Sequence, residues 1–214
     1  MDVEYPYADG LSRRQLLYRL PLTPQPRRLL LVCDDAGSQR LGDGWGSAVT
    51  RMSASATAAV SGGNFDAVAL PDQPPEQIQA LLQMAHRRLV PGGVVIGHFE
   101  NPLALRRLGT LNGWAGLARS LMPGAIRSAA GCKAALARAG FQDAACFFVQ
   151  PNMDSPMGLI PCEQLAARAQ FLRSIRSAQG HHGRVAYAAR VALAMAGLGG
   201  LQQPQLFFWA GKAC

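Results

Sequence analysis

The stretch from Phe65 to Gly97 constrains this chain most. It reads FDAVAL, then a proline-rich link, an amphipathic repeat, Pro91-Gly92-Gly93, and finally VVIG. An apolar run broken only by Asp66 makes Phe65–Leu70 a strand buried on both faces. From Glu76 to Leu89, helical spacing puts Ile78, Leu81, Leu82, Ala85 and Leu89 on one side. Arg87 and Arg88 stand where the dipole of that helix is negative. Pro91-Gly92-Gly93 predicts a tight turn into a second buried strand, Val94–Gly97. Strand, helix, turn and strand form a βαβ unit, so the sheet is parallel there and the connection right-handed.

The flanking sequence extends this α/β pattern. Leu11–Leu20 has helical spacing and is stopped by Pro21, Pro24 and Pro26. Arg28–Cys33 is a continuous apolar strand, and Ser47–Met52 is short enough for a second. A helix over Ser128–Ala139 ends at Gly140, which suits a left-handed cap. Strands follow at Ala144–Gln150 and, after a long excursion over 151–203, at Pro204–Ala213. The excursion carries two helical patterns, about 162–178 and 184–198. Connections of that length commonly cap a site. The whole, 1–214, reads as one domain with a helical insertion.

The 214 residues hold 49% hydrophobic and 16% charged side chains, a globular balance, with a formal charge of +8. Lys133 and Lys212 are the only lysines, so the positive charge is nearly all arginine. Arginine favours bidentate contact with carboxylate or phosphate, but an Ala-Gly-Arg composition gives the same count with no ligand. Arg168, Arg173, Arg176, Arg184 and Arg190 cluster in the excursion with only Phe171 and Tyr187 to stack on bases. That pattern fits an exposed polar face better than a nucleic-acid surface. The five cysteines form no CxxC pair and no regular spacing, which argues against a disulfide framework or zinc site and for a reducing, cytoplasmic compartment. No signal peptide is legible, and Val185–Leu201 is too short to span a bilayer and carries Arg190. Adjacent His181 and His182 have no third ligand near them, so no metal is expected.

Three phrases, in this order and spacing, resemble the class I S-adenosylmethionine-dependent methyltransferases. They are Phe65-Asp66-Ala67-Val68 at the family's fourth strand, 81-LLQMAHRRLVPGGVVI-96 running into its fifth, and 135-ALARAGFQDAACFF-148 entering its sixth. Pro204–Ala213 matches the antiparallel seventh strand. The resemblance implies a Rossmann-like, mostly parallel sheet with an antiparallel last strand, and S-adenosylmethionine as cofactor. In open α/β sheets such ligands sit outside the carboxyl ends of the strands, where the strand order reverses.

The first half departs from the family. After Leu29–Cys33 comes Asp34-Asp35-Ala36-Gly37-Ser38, with one glycine where the family has two or three. Met52-Ser53-Ala54-Ser55 stands where an acidic residue would meet the ribose. About 30 residues separate Asp35 from Phe65, half of what two helices and two strands need, so the N-terminal half is shortened. The cofactor loop is read as eroded.

The candidate cofactor residues are Asp34, Asp35, Gly37 and Asp72. Paired acids at a strand end are also ordinary solvated turn formers. Asp72 lies in Pro71-Asp72-Gln73-Pro74-Pro75, which partly resembles the Asn/Asp-Pro-Pro-aromatic signature of amino-group methyltransferases. Gln73 interrupts the match and Glu76 replaces the aromatic; a proline-rich entry to the next helix is the simpler reading. His98, just past the second strand of the unit, can act as a general base near neutral pH, or be structural. His98 and Asp72 are the candidate catalytic pair. Two functions follow: a methyltransferase acting on a small molecule, glycan or peptide, or an inactive methyltransferase-like scaffold that binds another protein or its own copy. Leu159, Ile160, Leu165 and Leu172 are the apolar positions open to such an interface.

Overall fold

A computed structural model describes residues 13–22, 25–34, 40–42, 48–54, 64–74, 76–100, 128–150, 153, 156, 158–164 and 205–214. Its elements in chain order are α1 (Arg13–Arg19), β1 (Arg28–Val32), a 3-10 turn (Arg40–Gly42), β2 (Ala48–Met52), β3 (Phe65–Gln73), α2 (Ile78–Arg88), β4 (Leu89–Glu100), α3 (Ala129–Arg138), β5 (Phe141–Gln150), β6 (Gly158–Pro161) and β7 (Gln205–Lys212). The seven strands form one sheet in the order β2-β1-β3-β4-β7-β5-β6. β2, β1, β3 and β4 are mutually parallel; β7 is antiparallel to both β4 and β5, and β6 is antiparallel to β5. This is the α/β sheet, mostly parallel with an antiparallel last strand, that the sequence implied. β6 was not foreseen: four residues with Pro161 at one end carry too little pattern to announce an edge strand.

Strict alternation assigns each strand residue to a face. Leu29, Leu31 and Cys33 of the first strand region, Ala67 and Ala69 of β3, Ile96 of β4 and Phe207 of β7 share a core with Leu17 and Tyr18 of α1. Leu30, Val32, Val68, Leu70, Val95 and Phe208 face the other way, onto Ile78, Leu81, Leu82, Met84 and Ala85 of α2 and Cys132, Ala135 and Leu136 of α3. The sheet is thus sandwiched, α1 on one side and α2 with α3 on the other. Leu159 and Ile160 of β6 divide between these two cores.

Local chemistry sets the helix ends. Ser128 caps α3 by accepting from the Gly131 N–H at 3.0 Å, and Gly140 closes it at φ 92°, the left-handed position anticipated for it. The carboxyl end of α2 receives Lys212 from the closing strand, whose Nζ donates to the His86 and Leu89 carbonyls at 2.9 and 2.7 Å. Pro91-Gly92-Gly93 does not end a helix and begin a strand, as the turn reading supposed. β4 begins at Leu89, opposite Phe65, and the proline–glycine step is an irregularity inside it, since Val94 next opposes Ala67. Gly92 takes φ 75° there, open to a residue without Cβ. The helices expected in the excursion, and Leu165 and Leu172, lie outside the described residues.

Candidate functional site

The carboxyl ends of β1, β2, β3 and β4 lie along one edge, and the strand order reverses between β1 and β3. Two aspartates mark that edge.

The first sits at the end of β3, in a bulge. Leu70 opposes Gly97 and Gln73 opposes Phe99, so β3 spends one residue more than β4. Asp72 lies in that bulge at φ 50°, a conformation that costs a side-chain-bearing residue about 1 kcal/mol. Gln73 holds the bulge in place. Its buried amide donates to the Val32 carbonyl at 2.8 Å and the Pro71 carbonyl at 2.6 Å, tying the end of β3 to the end of β1. The glutamine that spoils the proline signature is therefore the clasp of the local backbone.

Turned by the bulge, Asp72 meets His98 of β4. Asp72 Oδ1 is 2.5 Å from His98 Nε2, and His98 Nδ1 is 2.5 Å from the Tyr18 hydroxyl. Asp72 Oδ2 accepts from Arg14. Arg14 and Tyr18 stand four residues apart on α1, one turn on the same face. Tyr18 and His98 are wholly buried, while the Asp72 side chain is 37% exposed. With the proton on Nε2 the chain is complementary throughout: tyrosine hydroxyl to Nδ1, Nε2–H to Oδ1, guanidinium to Oδ2. Tyr18 also packs edge-on against Phe207 at 5.4 Å and shares its core with Ala67 and Ala69. The structure thus brings together the two candidate catalytic residues, His98 and Asp72. It adds Tyr18 and Arg14, whose only sequence signal was their helical spacing in a segment with no motif.

The second aspartate, Asp34, follows β1 and is exposed. Its Oδ1 accepts from the Ser53 hydroxyl and from the Ala54 N–H at 3.2 Å. The Cys33 N–H donates to the Met52 carbonyl at 2.9 Å, so β1 and β2 remain paired up to this point. Both contacts fall on one oxygen, and Oδ2 accepts no hydrogen bond from a described residue. Asp35 and Gly37, the other candidate cofactor residues, lie outside the described residues.

Two cavities formed by described residues lie elsewhere. One of about 390 Å³ is at the amino edge, among Pro21, Pro26, Asp66 and Val94, where Asp66 is spent on the Arg27 and Arg28 N–H groups at 2.8 Å each. Another, about 260 Å³, lies between α1 and β6. Neither has a titratable group with a partner suited to catalysis, and the carboxyl edge is the better candidate. Among the described residues no group of three ligands could hold a metal, and no helix is long and apolar enough to cross a membrane.

No protein-family model and no curated protein sequence matches the chain. Solved structures do. Phosphoethanolamine N-methyltransferase 2 of Haemonchus contortus, in complex with S-adenosyl-L-methionine, superposes with a TM-score of 0.56 at 14% identity, covering 96% of this chain and 54% of that one. The same enzyme with phosphomonomethylethanolamine and S-adenosylhomocysteine gives 0.54 at 16%, with the same coverage. An S-adenosylmethionine-dependent methyltransferase from Archaeoglobus fulgidus gives 0.50 at 13%, covering 94% of this chain and 95% of its own. The chain spans about half the length of the Haemonchus enzyme. Its fold is that of the class I S-adenosylmethionine-dependent methyltransferases.

Proposed function

We propose that this chain binds S-adenosylmethionine across the carboxyl ends of β1 and β2 and methylates a small polar acceptor. The observation that carries the cofactor reading is Asp34. The family's ribose-binding acid is missing from the end of β2, but Asp34 reaches that strand's end from its neighbour. Ser53 and Ala54 hold the Oδ1 of this exposed residue and so orient Oδ2, an acceptor suited to sugar hydroxyls. The donor set therefore fits a ribose, and Asp35 and Gly37 are the adjoining residues for the rest of the cofactor. When bound, the cofactor supplies an electrophilic methyl group on a sulfonium.

The chain's own part is positioning and proton handling. Methyl transfer needs the acceptor atom in line with the methyl group, and effective concentration supplies much of such a rate. Asp72 is the exposed end of the Asp72–His98–Tyr18 series and is the group to hold the acceptor and take its proton. His98, buried with both nitrogens engaged, fixes Asp72, and the Arg14 guanidinium balances its charge. A small acceptor accords with the phosphomonomethylethanolamine held by the Haemonchus protein.

A second reading has its own support. Asp72 and His98 are satisfied entirely within the chain, which is what an inactive methyltransferase-like scaffold, kept for a protein partner or a homodimer, would also display. Calorimetric titration with S-adenosylhomocysteine separates the two. The methyltransferase reading expects micromolar binding, weakened about tenfold by Asp34→Ala, the loss of one to two hydrogen bonds. No heat at millimolar ligand overturns it and leaves the scaffold.

A further inference from the structure

Three thiols from three separate elements meet on the α2–α3 face of the sheet. Cys132 lies in α3, Cys146 in β5, and Cys162 directly after β6. The Cys162 N–H donates to the Cys146 carbonyl at 3.0 Å, which continues the β5–β6 ladder one pair beyond Phe147 and Pro161. Residues directly opposite in an antiparallel pair present side chains to the same face, with Cβ atoms about 5 Å apart. Cys146 and Cys132 are both buried in the core beneath that face, and the half-buried Cys162 packs against it. The Cys132 thiol hydrogen-bonds the Cys146 sulfur; that bond, with burial, pushes Cys132 well up. The same bond holds Cys146 below the usual thiol range, aided by Lys133 and opposed by burial and Glu163. Lys133 and Glu163 pair with each other above the cluster. None of the five cysteines is joined in a disulfide.

A single buried cysteine needs no explanation beyond packing, and Cys33 is of that kind. Three that converge, one of them the hydrogen-bond acceptor and one reaching the surface, have the makings of a reactive site. We propose that this cluster is a site of reversible oxidation, in which a peroxide joins Cys146 to one of its two neighbours, Cys132 or Cys162, in an intramolecular disulfide.

The Cys146 thiolate attacks a peroxide oxygen: an S–O bond forms, the O–O bond breaks, and hydroxide leaves, taking up the proton that Cys146 had released. The neighbouring sulfur then attacks the sulfenic sulfur, an S–S bond replaces the S–O bond, and the hydroxyl departs with the neighbour's proton as water. Two thiols lose two electrons and hydrogen peroxide becomes two waters.

The test uses the full chain carrying Cys214→Ser, which removes the exposed thiol, and a tenfold excess of hydrogen peroxide. Alkylation under denaturing conditions and peptide mass mapping follow. The expected result is loss of two alkylable thiols, restored by dithiothreitol, with Cys146 in the cross-linked peptide. Cys132→Ser should yield only the Cys146–Cys162 link, and Cys162→Ser only Cys132–Cys146. Cys146→Ser should yield none. Any disulfide lacking Cys146, or four thiols still alkylable after peroxide, overturns the proposal. The two neighbour variants decide the matter even if Cys146→Ser does not fold.

Discussion

The carboxyl ends of β1 and of β3–β4 share one edge of one sheet, and each carries an aspartate, yet the two carboxylates are used in opposite ways. Asp72 is bound through both oxygens to side chains from elsewhere in the fold, one of them the fully buried ring of His98. Asp34 is exposed and, among the described residues, is held through one oxygen only. The difference lies in the partner, not in the residue type. A buried imidazole cannot turn to water for its hydrogen bonds, so it claims the carboxylate beside it. A serine hydroxyl makes no such claim, and no described residue hydrogen-bonds the second oxygen of Asp34.

That contrast can be broken by experiment. The largest effect is expected for His98→Ala, which empties a buried site and strands the Tyr18 hydroxyl; it should cost about 3 kcal/mol in urea unfolding. Were it to cost no more than Asp34→Ala, the distinction between clamp and open acceptor would collapse. Tyr18→Phe sharpens the picture, since it removes only the hydroxyl and leaves Nδ1 without its donor; a loss of about 1–2 kcal/mol is expected by the same measurement. Asp34→Ala should stay within about 0.5–1 kcal/mol of the parent in stability, its effect appearing in cofactor binding instead.

The smallest expected effect is a control outside both ends. Burial, then Lys212 beside it, hold the His86 imidazole below its ordinary range, against a backbone hydrogen bond at Gly140. A histidine that is harder to protonate in the folded chain changes nothing where both states are neutral, above its unfolded pKa of about 6.5. Below that, the unfolded chain takes up the proton first, so stability falls as the pH drops toward the lower, folded value. His86→Gln should flatten the decline in Tm between pH 7 and pH 5 without changing the difference between His98→Ala and Asp34→Ala.

The α/β core was readable because its signals are local. A continuous apolar run, a helical stripe ending in arginines and a glycine past a helix each need only the residues on either side. Phe65–Leu70, Ile78–Arg88, the cap at Gly140 and the closing strand accordingly stand where the pattern put them. The proline–glycine step misled for the same reason. Its turn chemistry is real, but pairing with Phe65 carried β4 back to Leu89. β6 escaped notice because an edge strand of four residues is made by its neighbour, β5, more than by its own composition.

By itself the sequence determined which strands are buried on both faces, that a helix crosses between two of them, and that Asp34, Asp72 and His98 belong near strand ends. Those follow from the period of the apolar residues and the conformational limits of glycine and proline. Only the tertiary structure decided that Arg14 and Tyr18 would close on Asp72 and His98 from 58 and 80 residues away, and that Asp34 would serve the end of a strand other than its own. Hydrogen bonds of that kind depend on distances set when the sheet and helix pack, and no spacing along the chain encodes them.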